Sequence, residues 1–159
     1  MFSIQEILDL AIQLEHNAET LYRRAAAQHS DSAMASVLLR MADEERRHTE
    51  WFQHQQTTHA LATPSEPADP MARKLLTDMV KDQQFSLANT DLTDVTEVAE
   101  MIRIFAEFEE DTIIFYKLLL PFVAQGSVKE ELELIIDEES RHLAELNQIL
   151  DPEAAEAKA

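Results

Sequence analysis

A hexapeptide that occurs twice carries the residue types best suited to chemistry. It reads Asp-Glu-Glu-Arg-Arg-His at 43–48 and Asp-Glu-Glu-Ser-Arg-His at 137–142, an offset of 94 residues. Each copy contains a Glu and a His three residues apart, a spacing that places both side chains on one face of a helix. Carboxylate and imidazole groups held together bind divalent iron, manganese and zinc. The repeat therefore predicts two copies of one metal-binding element.

Further residues recur at the same offset, and they lie in line with apolar residues. Glu15 corresponds to Glu109, and Tyr22 corresponds to Tyr116. Carboxylates on a core face must pair, take up a proton or bind a cation, because burial disfavours the charged form. These faces carry no obvious Lys or Arg, whereas two divalent cations would balance four carboxylates. We predict six metal ligands: Glu15, Glu45, His48, Glu109, Glu139 and His142.

One alternative is a duplicated bundle in which the same Glu and His residues form salt bridges at the surface. A single Glu-x-x-His is weak evidence in a helical protein that is rich in Glu. Two copies in register, each preceded by a Glu within an apolar stripe, favour the metal site over this alternative.

The patterning of apolar residues predicts a first pair of long helices. Ser3 is the expected N-cap of the first helix, because Glu6 follows at capping-box spacing. Ser30 or Asp31 is expected to cap the second helix, which should run to about His59. Buried positions on it should follow steps of three and four residues, as expected for one helical face.

A second pair of helices is predicted in the other half of the chain. The third helix should start near Asp94, with Glu97 at capping-box spacing, and end at Pro121 and Gly126. The fourth helix should be capped by Ser127 and Glu130. Asp151-Pro152 should end it, and residues 151–159 are expected to be a disordered tail.

The lengths of the links predict the topology. Short links make each helix pair an antiparallel hairpin. Residues of about 60–93 form a long connection, which contains three prolines at its start and a possible short helix at 71–85. The expected fold is all-α: a four-helix bundle with one long crossover, occupying residues 1–150 as a single domain.

Composition and charge exclude several classes of protein. The chain has no Cys, so it has no disulfide framework, thiolate zinc site or iron–sulfur cluster of its own. Its formal net charge of −18 argues against binding nucleic acid, which requires Lys and Arg. No apolar run approaches the length of a membrane span, and the start lacks the features of a signal peptide. We expect a soluble, cytoplasmic protein.

The chain resembles the rubrerythrin-like branch of the ferritin-like superfamily. The resemblance rests on Glu…Tyr and Glu-Glu-x-x-His and covers residues 3–150. It implies a di-iron carboxylate site in which Glu45 and Glu139 bridge the two ions. Glu15 and His48 would complete the shell of one ion, and Glu109 and His142 that of the other.

For residues beside the predicted ligands, the sequence leaves alternative roles open. The resemblance suggests Glu44 and Glu138 as hydrogen-bonding partners of the His ligands, with Asp43 and Asp137 as rivals and surface exposure as the alternative. Tyr22 and Tyr116 are expected to be core residues rather than redox-active ones. Glu19 is either an extra carboxylate near one ion or an exposed residue. Arg47 and Arg141 are expected on a solvated face. The histidines without a repeat partner are expected at the surface: His16, His29, His54 and His59.

The resemblance implies a reaction but not its details. Rubrerythrins reduce hydrogen peroxide and carry an additional Glu at the position of Thr112. Here that Glu is absent, and the lack of Cys requires a separate electron donor. We expect an oxidoreductase that reduces peroxide or oxygen, works with two metal ions, most simply iron, and forms a homodimer. The alternatives are an iron-handling protein that oxidises and stores Fe(II), and a structural bundle that holds zinc. Manganese would also suit the ligands.

Overall fold

The computed structural model describes residues 4–28, 31–58, 71, 74, 97–122 and 126–152. It divides into two compact units, Met1–Thr63 and Pro64–Ala159. The first unit contains α1 (Ile4–Gln28) and α2 (Ser32–Thr58). The second contains α3 (Val98–Leu119), a short 3-10 turn (Leu120–Phe122) and α4 (Ser127–Leu150). None of the helices in the described ranges is long and apolar enough to be a candidate membrane span.

The helices α1 and α2 form an antiparallel hairpin. Gln56, near the end of α2, donates a hydrogen bond to Asp9, near the start of α1. Farther along α1, Arg23 contacts Asp43 in the first half of α2. The end of α2 thus lies beside the start of α1, so the two helices are antiparallel. This is the arrangement expected when a short link joins two helices.

The start of α2 confirms one of the two predicted caps. The Asp31 side chain accepts hydrogen bonds from the backbone N–H groups of Ala33 and Met34, at 2.9 and 3.4 Å. These bonds satisfy donors that have no partner inside the first turn of a helix. Ser30, the other candidate, lies outside the described residues, as does the predicted cap Ser3.

The helices α3 and α4 pack against each other as the second hairpin. The predicted start of α3 near Asp94 is wrong, because Glu97 is extended at φ −93° and ψ 124° and the helix begins at Val98. Glu97 makes no side-chain capping bond. Asp94 itself lies outside the described residues. Glu100 brings a negative charge to the first turn, where the helix dipole favours it.

The predicted cap of α4 is also wrong. Gly126 occupies the N-cap position with a φ of +104°, and Ser127 is the first residue of the helix. The Gly126 carbonyl accepts from the N–H groups of Lys129 and Glu130, each at 3.1 Å. A positive φ strains any residue with a Cβ, so the turn requires glycine and leaves the cap without a side chain. The predicted end is confirmed, since α4 stops at Leu150 and Asp151 is its C-cap.

Several predictions concern residues that lie wholly or partly outside the described ranges. Of the possible short helix at 71–85, only Met71 and Lys74 are described, and both are helical. The tail beyond residue 152 lies outside the description. That residues 1–150 make a single domain stays a prediction.

The buried apolar residues lie along one face of each helix, as the spacing of apolar residues predicts. On α1 the buried positions include Leu8, Ala11 and Ala18, whereas Ile12 is only half-buried. The fully buried large side chains of the second unit come from both of its helices, and those with exposure below 2 % include Ile102, Phe105, Phe108, Phe115, Tyr116, Leu119, Leu132 and Leu146. Polar side chains that share these faces are therefore shielded from water.

Candidate metal centre

The first hairpin brings together three of the six predicted ligands. Nδ1 of His48 on α2 lies 3.4 Å from Oε2 of Glu15 on α1 and 3.4 Å from Oε2 of Glu45. One ligand atom from each of the three residues lies within 4.8 Å of the others. All three side chains are almost fully buried, with exposures of 1–2 %. We refer to Glu15, Glu45 and His48 as the first triad.

The second hairpin brings together the other three. Nδ1 of His142 on α4 lies 3.2 Å from Oε2 of Glu139 and 3.7 Å from Oε1 of Glu109 on α3. Their ligand atoms also lie within 4.8 Å of one another. All three side chains have an exposure of 0 %. We refer to Glu109, Glu139 and His142 as the second triad.

Helix geometry explains why each triad forms. In both α2 and α4 the Glu and the His are three residues apart, so they lie one above the other on the buried face. The remaining Glu comes from the partner helix of the same hairpin. Apolar residues flank the ligands on that face, such as Met41 and Phe52 on α2 and Ile135 and Leu146 on α4. Each triad is therefore held by rigid helices.

Burial perturbs the acidity of one ligand. The pKa of the Glu109 carboxyl rises from 4.5 to about 8, chiefly because burial removes water from the charged form. The charge of Glu139 raises it further, and His142 opposes the rise. Without a cation, Glu109 thus carries a proton near neutral pH. A bound metal ion would take the place of that proton.

The residues present fit divalent metal ions. Among the described residues no Lys or Arg is buried, so neither residue type shares the interior with these carboxylates. Each triad offers carboxylate oxygens and one imidazole, which is the ligand set that iron, manganese and zinc accept. It also matches half of the pattern in di-metal carboxylate bundles: a Glu from one helix and Glu-x-x-His from another.

Two of the carboxylates suggested as hydrogen-bonding partners of the His ligands, Glu44 and Asp43, form ion pairs with arginines. Glu44, whose side chain is 12 % exposed, lies 3.1 Å from Arg40 and 3.6 Å from Arg47. Asp43 is exposed and lies 2.7 Å from Arg23. The guanidinium of Arg23 lowers the pKa of Asp43 below its usual value. Glu44 and Asp43 thus pair with arginines of their own hairpin.

Glu19 also binds Arg23, at 2.9 Å, with a side chain that is 17 % exposed. It is therefore a half-buried ion-pair residue of α1. On α4, Asp137 is exposed and Glu138 is half-buried.

Tyr22 and Tyr116 are buried in their respective hairpins, with exposures of 1 % and 0 %, as expected for core residues. His16 and His54 are exposed, as predicted. His29 and His59 lie outside the described residues.

The sequence did not predict the burial of three polar residues. Two of them, Thr49 and Gln55, were not singled out at all, and Thr112 was noted only as the position of the absent Glu. Thr49, Gln55 and Thr112 have exposures of 8, 3 and 2 %. Their side-chain oxygens have no hydrogen-bond partner within the described residues. The available signal was position: Gln55 follows Phe52, and Thr112 follows Glu109, by three residues on a buried face.

Comparison with known proteins agrees with this geometry. A family model described as Rubrerythrin matches residues 6–150. A crystal structure of a protein from Thermotoga maritima, described as a ferritin-like di-iron carboxylate protein, superposes with a TM-score of 0.67. Its sequence identity is 23 %, and the match covers 94 % of this chain and 95 % of that one. No curated protein matches the sequence significantly.

The structural match establishes the all-α, ferritin-like four-helix bundle predicted from the sequence. The family match spans both hairpins and all six candidate ligands. The chain belongs to the rubrerythrin family.

Proposed function

We propose that the two triads together bind two metal ions, and that these ions are iron when the protein is active. The observation that carries the proposal is the burial of four carboxylates and two imidazoles without a buried Lys or Arg in the described ranges. Two divalent cations would balance the charge of four carboxylates. Family membership supports the same conclusion, because di-metal carboxylate bundles use this set of ligands.

Each residue has a proposed role within this site. Glu45 and Glu139 would bridge the ions, since each belongs to a Glu-x-x-His pair. Glu15 and His48 would bind one ion, and Glu109 and His142 the other. The distances within each triad support this division, because the imidazole lies beside both of its carboxylates. Glu109 would exchange its proton for the metal.

We propose further that the protein is an oxidoreductase that reduces peroxide or oxygen. Two ferrous ions would supply two electrons, which together with two protons reduce one hydrogen peroxide molecule to two water molecules. Because the chain contains no Cys, it has no thiolate redox centre that could return those electrons. A separate donor must therefore supply them. That donor, a homodimeric state and a cytoplasmic location stay predictions.

Metal analysis tests the binding proposal. Protein purified from iron-replete, reducing conditions is expected to contain about two ions per chain, as in related carboxylate bundles. The Glu45→Ala/Glu139→Ala variant should lose most of them. A Glu50→Ala/Glu133→Ala variant is the matched control, because it removes exposed glutamates from the same two helices. Absence of metal from the parent protein would contradict the proposal.

Peroxide turnover tests the reaction. The iron-loaded protein, supplied with a reductant, should consume peroxide well above the rate of the same amount of free iron. A rate equal to that background would reject the peroxidase proposal. Continued uptake of Fe(II) far beyond the two sites would support the alternative of iron storage. Retention of zinc after growth in excess iron would support the structural alternative.

A further inference from the structure

Thr112 is a buried hydroxyl residue on the helix that carries Glu109 of the second triad. It lies on α3, three residues after Glu109, and its exposure is 2 %. Its Oγ1 atom has no hydrogen-bond partner among the described residues. A Thr inside a helix commonly donates to the carbonyl four residues earlier, and Thr112 makes no such bond. A buried hydroxyl without a partner is unfavourable, which indicates that a partner is supplied when the site is filled.

Thr112 follows Glu109 at the spacing that separates the two candidate ligands of α4. Glu109 and Thr112 have the same spacing as Glu139 and His142 on α4, so the Thr side chain follows its Glu on one helical face. At the repeat offset of 94 residues, Thr112 corresponds to Ala18 on α1. Ala18 is also buried, with an exposure of 1 %. At this position the second hairpin thus has a hydroxyl group and a methyl group that the first hairpin lacks.

The chemistry of the hydroxyl points to its partner. A neutral alcohol is a much weaker ligand for a divalent metal than a carboxylate or an imidazole, so it would leave a coordination position unfilled. Its O–H can donate to an oxygen or nitrogen atom that an exogenous ligand places there. Ala18, at the equivalent position of the first hairpin, offers no such donor. A buried threonine of that hairpin, Thr49, follows His48 rather than Glu15.

We propose that Thr112 keeps a coordination position open at the ion held by Glu109 and His142, and donates a hydrogen bond to the small exogenous ligand bound there. The proposal rests on the proposed di-metal site. It makes the two ions inequivalent: the ion beside α3 binds small ligands such as water or an anion, and the ion beside Ala18 binds them more weakly. Thr112 is a positioning residue in this scheme, since it acts on the metal through the exogenous ligand.

Azide binding to the oxidised, iron-loaded protein tests the proposal, with its charge-transfer absorption as the readout. Thr112→Val preserves the shape of the side chain and removes the hydroxyl. We expect its azide affinity to fall about tenfold, the effect of losing one hydrogen bond, with the metal content unchanged. Thr112→Ser restores the hydroxyl and should restore most of the affinity. Thr49→Val is the comparison variant: Thr49 is a second buried hydroxyl without a partner among the described residues, directly after His48 of the first triad, where we expect no effect on azide affinity.

The outcomes separate this proposal from the proposed function. A parent protein without metal would reject the function itself. A parent protein that holds its metal but binds no azide would reject only the open position. Azide affinity in Thr112→Val equal to that of the parent would overturn the role of the hydroxyl. An equal loss in Thr49→Val would overturn its assignment to Thr112. If Thr112→Val does not fold, the comparison of Thr112→Ser with Thr112→Ala decides the same question.

Discussion

Nδ1 of His48 lies 3.4 Å from the carboxylate of Glu15, which belongs to the neighbouring helix of the hairpin. The same atom lies equally far from Glu45 on its own helix. One imidazole thus contacts both carboxylates of its triad, and all three side chains are almost fully buried. The second triad repeats the arrangement around His142, with distances of 3.2 and 3.7 Å.

Removing one imidazole should therefore remove one metal ion. We expect His48→Ala and His142→Ala each to lower the metal content from about two ions to about one, because each triad has a single imidazole. Elemental analysis after dialysis against a weak chelator measures the loss. His54→Ala is the control, since His54 is exposed on the same helix as His48. Full metal content in both triad variants would contradict the assignment of these ligands.

The metal-free protein should become less stable as the pH rises. The pKa of Glu109 is raised from 4.5 to about 8 by folding, so the folded state binds more protons than the unfolded state between these values. The stability contributed by the neutral carboxyl is fully present below pH 4.5 and is lost as the pH rises through about 8. Urea unfolding in the presence of a chelator, at a series of pH values, measures this change.

Glu109→Gln tests the source of that pH dependence. The amide cannot ionise, so the variant should lose less stability than the parent over the same pH range. Glu110→Gln changes the exposed neighbour of Glu109 and should retain the behaviour of the parent. Equal pH dependence in Glu109→Gln and the parent would show that other groups control it.

The buried face of α3 should be far more sensitive to truncation than its exposed face. Ile102 has an exposure of 0 % and Ile114 one of 50 %. Ile102→Ala should lower the free energy of unfolding by about 2–5 kcal/mol, because it removes buried methyl groups and leaves a cavity. The same substitution at Ile114 should change it by less than about 0.5 kcal/mol. Chemical denaturation of both variants gives the comparison, and similar losses would contradict the orientation of α3.

The ion pair between Arg23 and Asp43 should make a small, salt-dependent contribution to the first hairpin. Their 2.7 Å contact joins α1 to α2 at a largely solvated place, where salt screens the attraction. A double-mutant cycle of Arg23→Gln and Asp43→Asn should show a coupling that decreases at high salt. Lys117→Gln, at the equivalent repeat position, is the control, since no ion pair of Lys117 occurs within the described residues. A coupling that is unaffected by salt would contradict this view.

The sequence was sufficient to predict the helices of both hairpins, apart from two of their N-caps, and to identify six Glu and His residues that the structure buries. That these six residues bind metal stays a prediction. Glu15 and Glu109 could be identified because they share an offset with the Glu-x-x-His pairs and lie in line with apolar residues. The buried face of a helix is a periodic property, so it can be predicted without knowing what packs against it. The fold followed from the number of such faces and from the lengths of the links between them.

Features that depend on backbone conformation were not predictable in the same way. Ser127 has the residue type and spacing of an N-cap, but the positive φ of Gly126 places the cap one residue earlier. The pairing of Arg23 with Asp43 depends on how α1 is rotated against α2, which periodicity alone does not specify. The burial of Gln55 was not apparent either, because a single Gln at the end of a stripe is compatible with either exposure or burial.

The lack of buried Lys and Arg in the described ranges has a consequence for the lifetime of the protein in the cell. If the triads bind metal as proposed, every bound ion stabilises the folded state relative to the unfolded chain. A chain made during metal scarcity would then unfold more often and be cleaved sooner by proteases. Its abundance would follow the metal supply without any dedicated regulator.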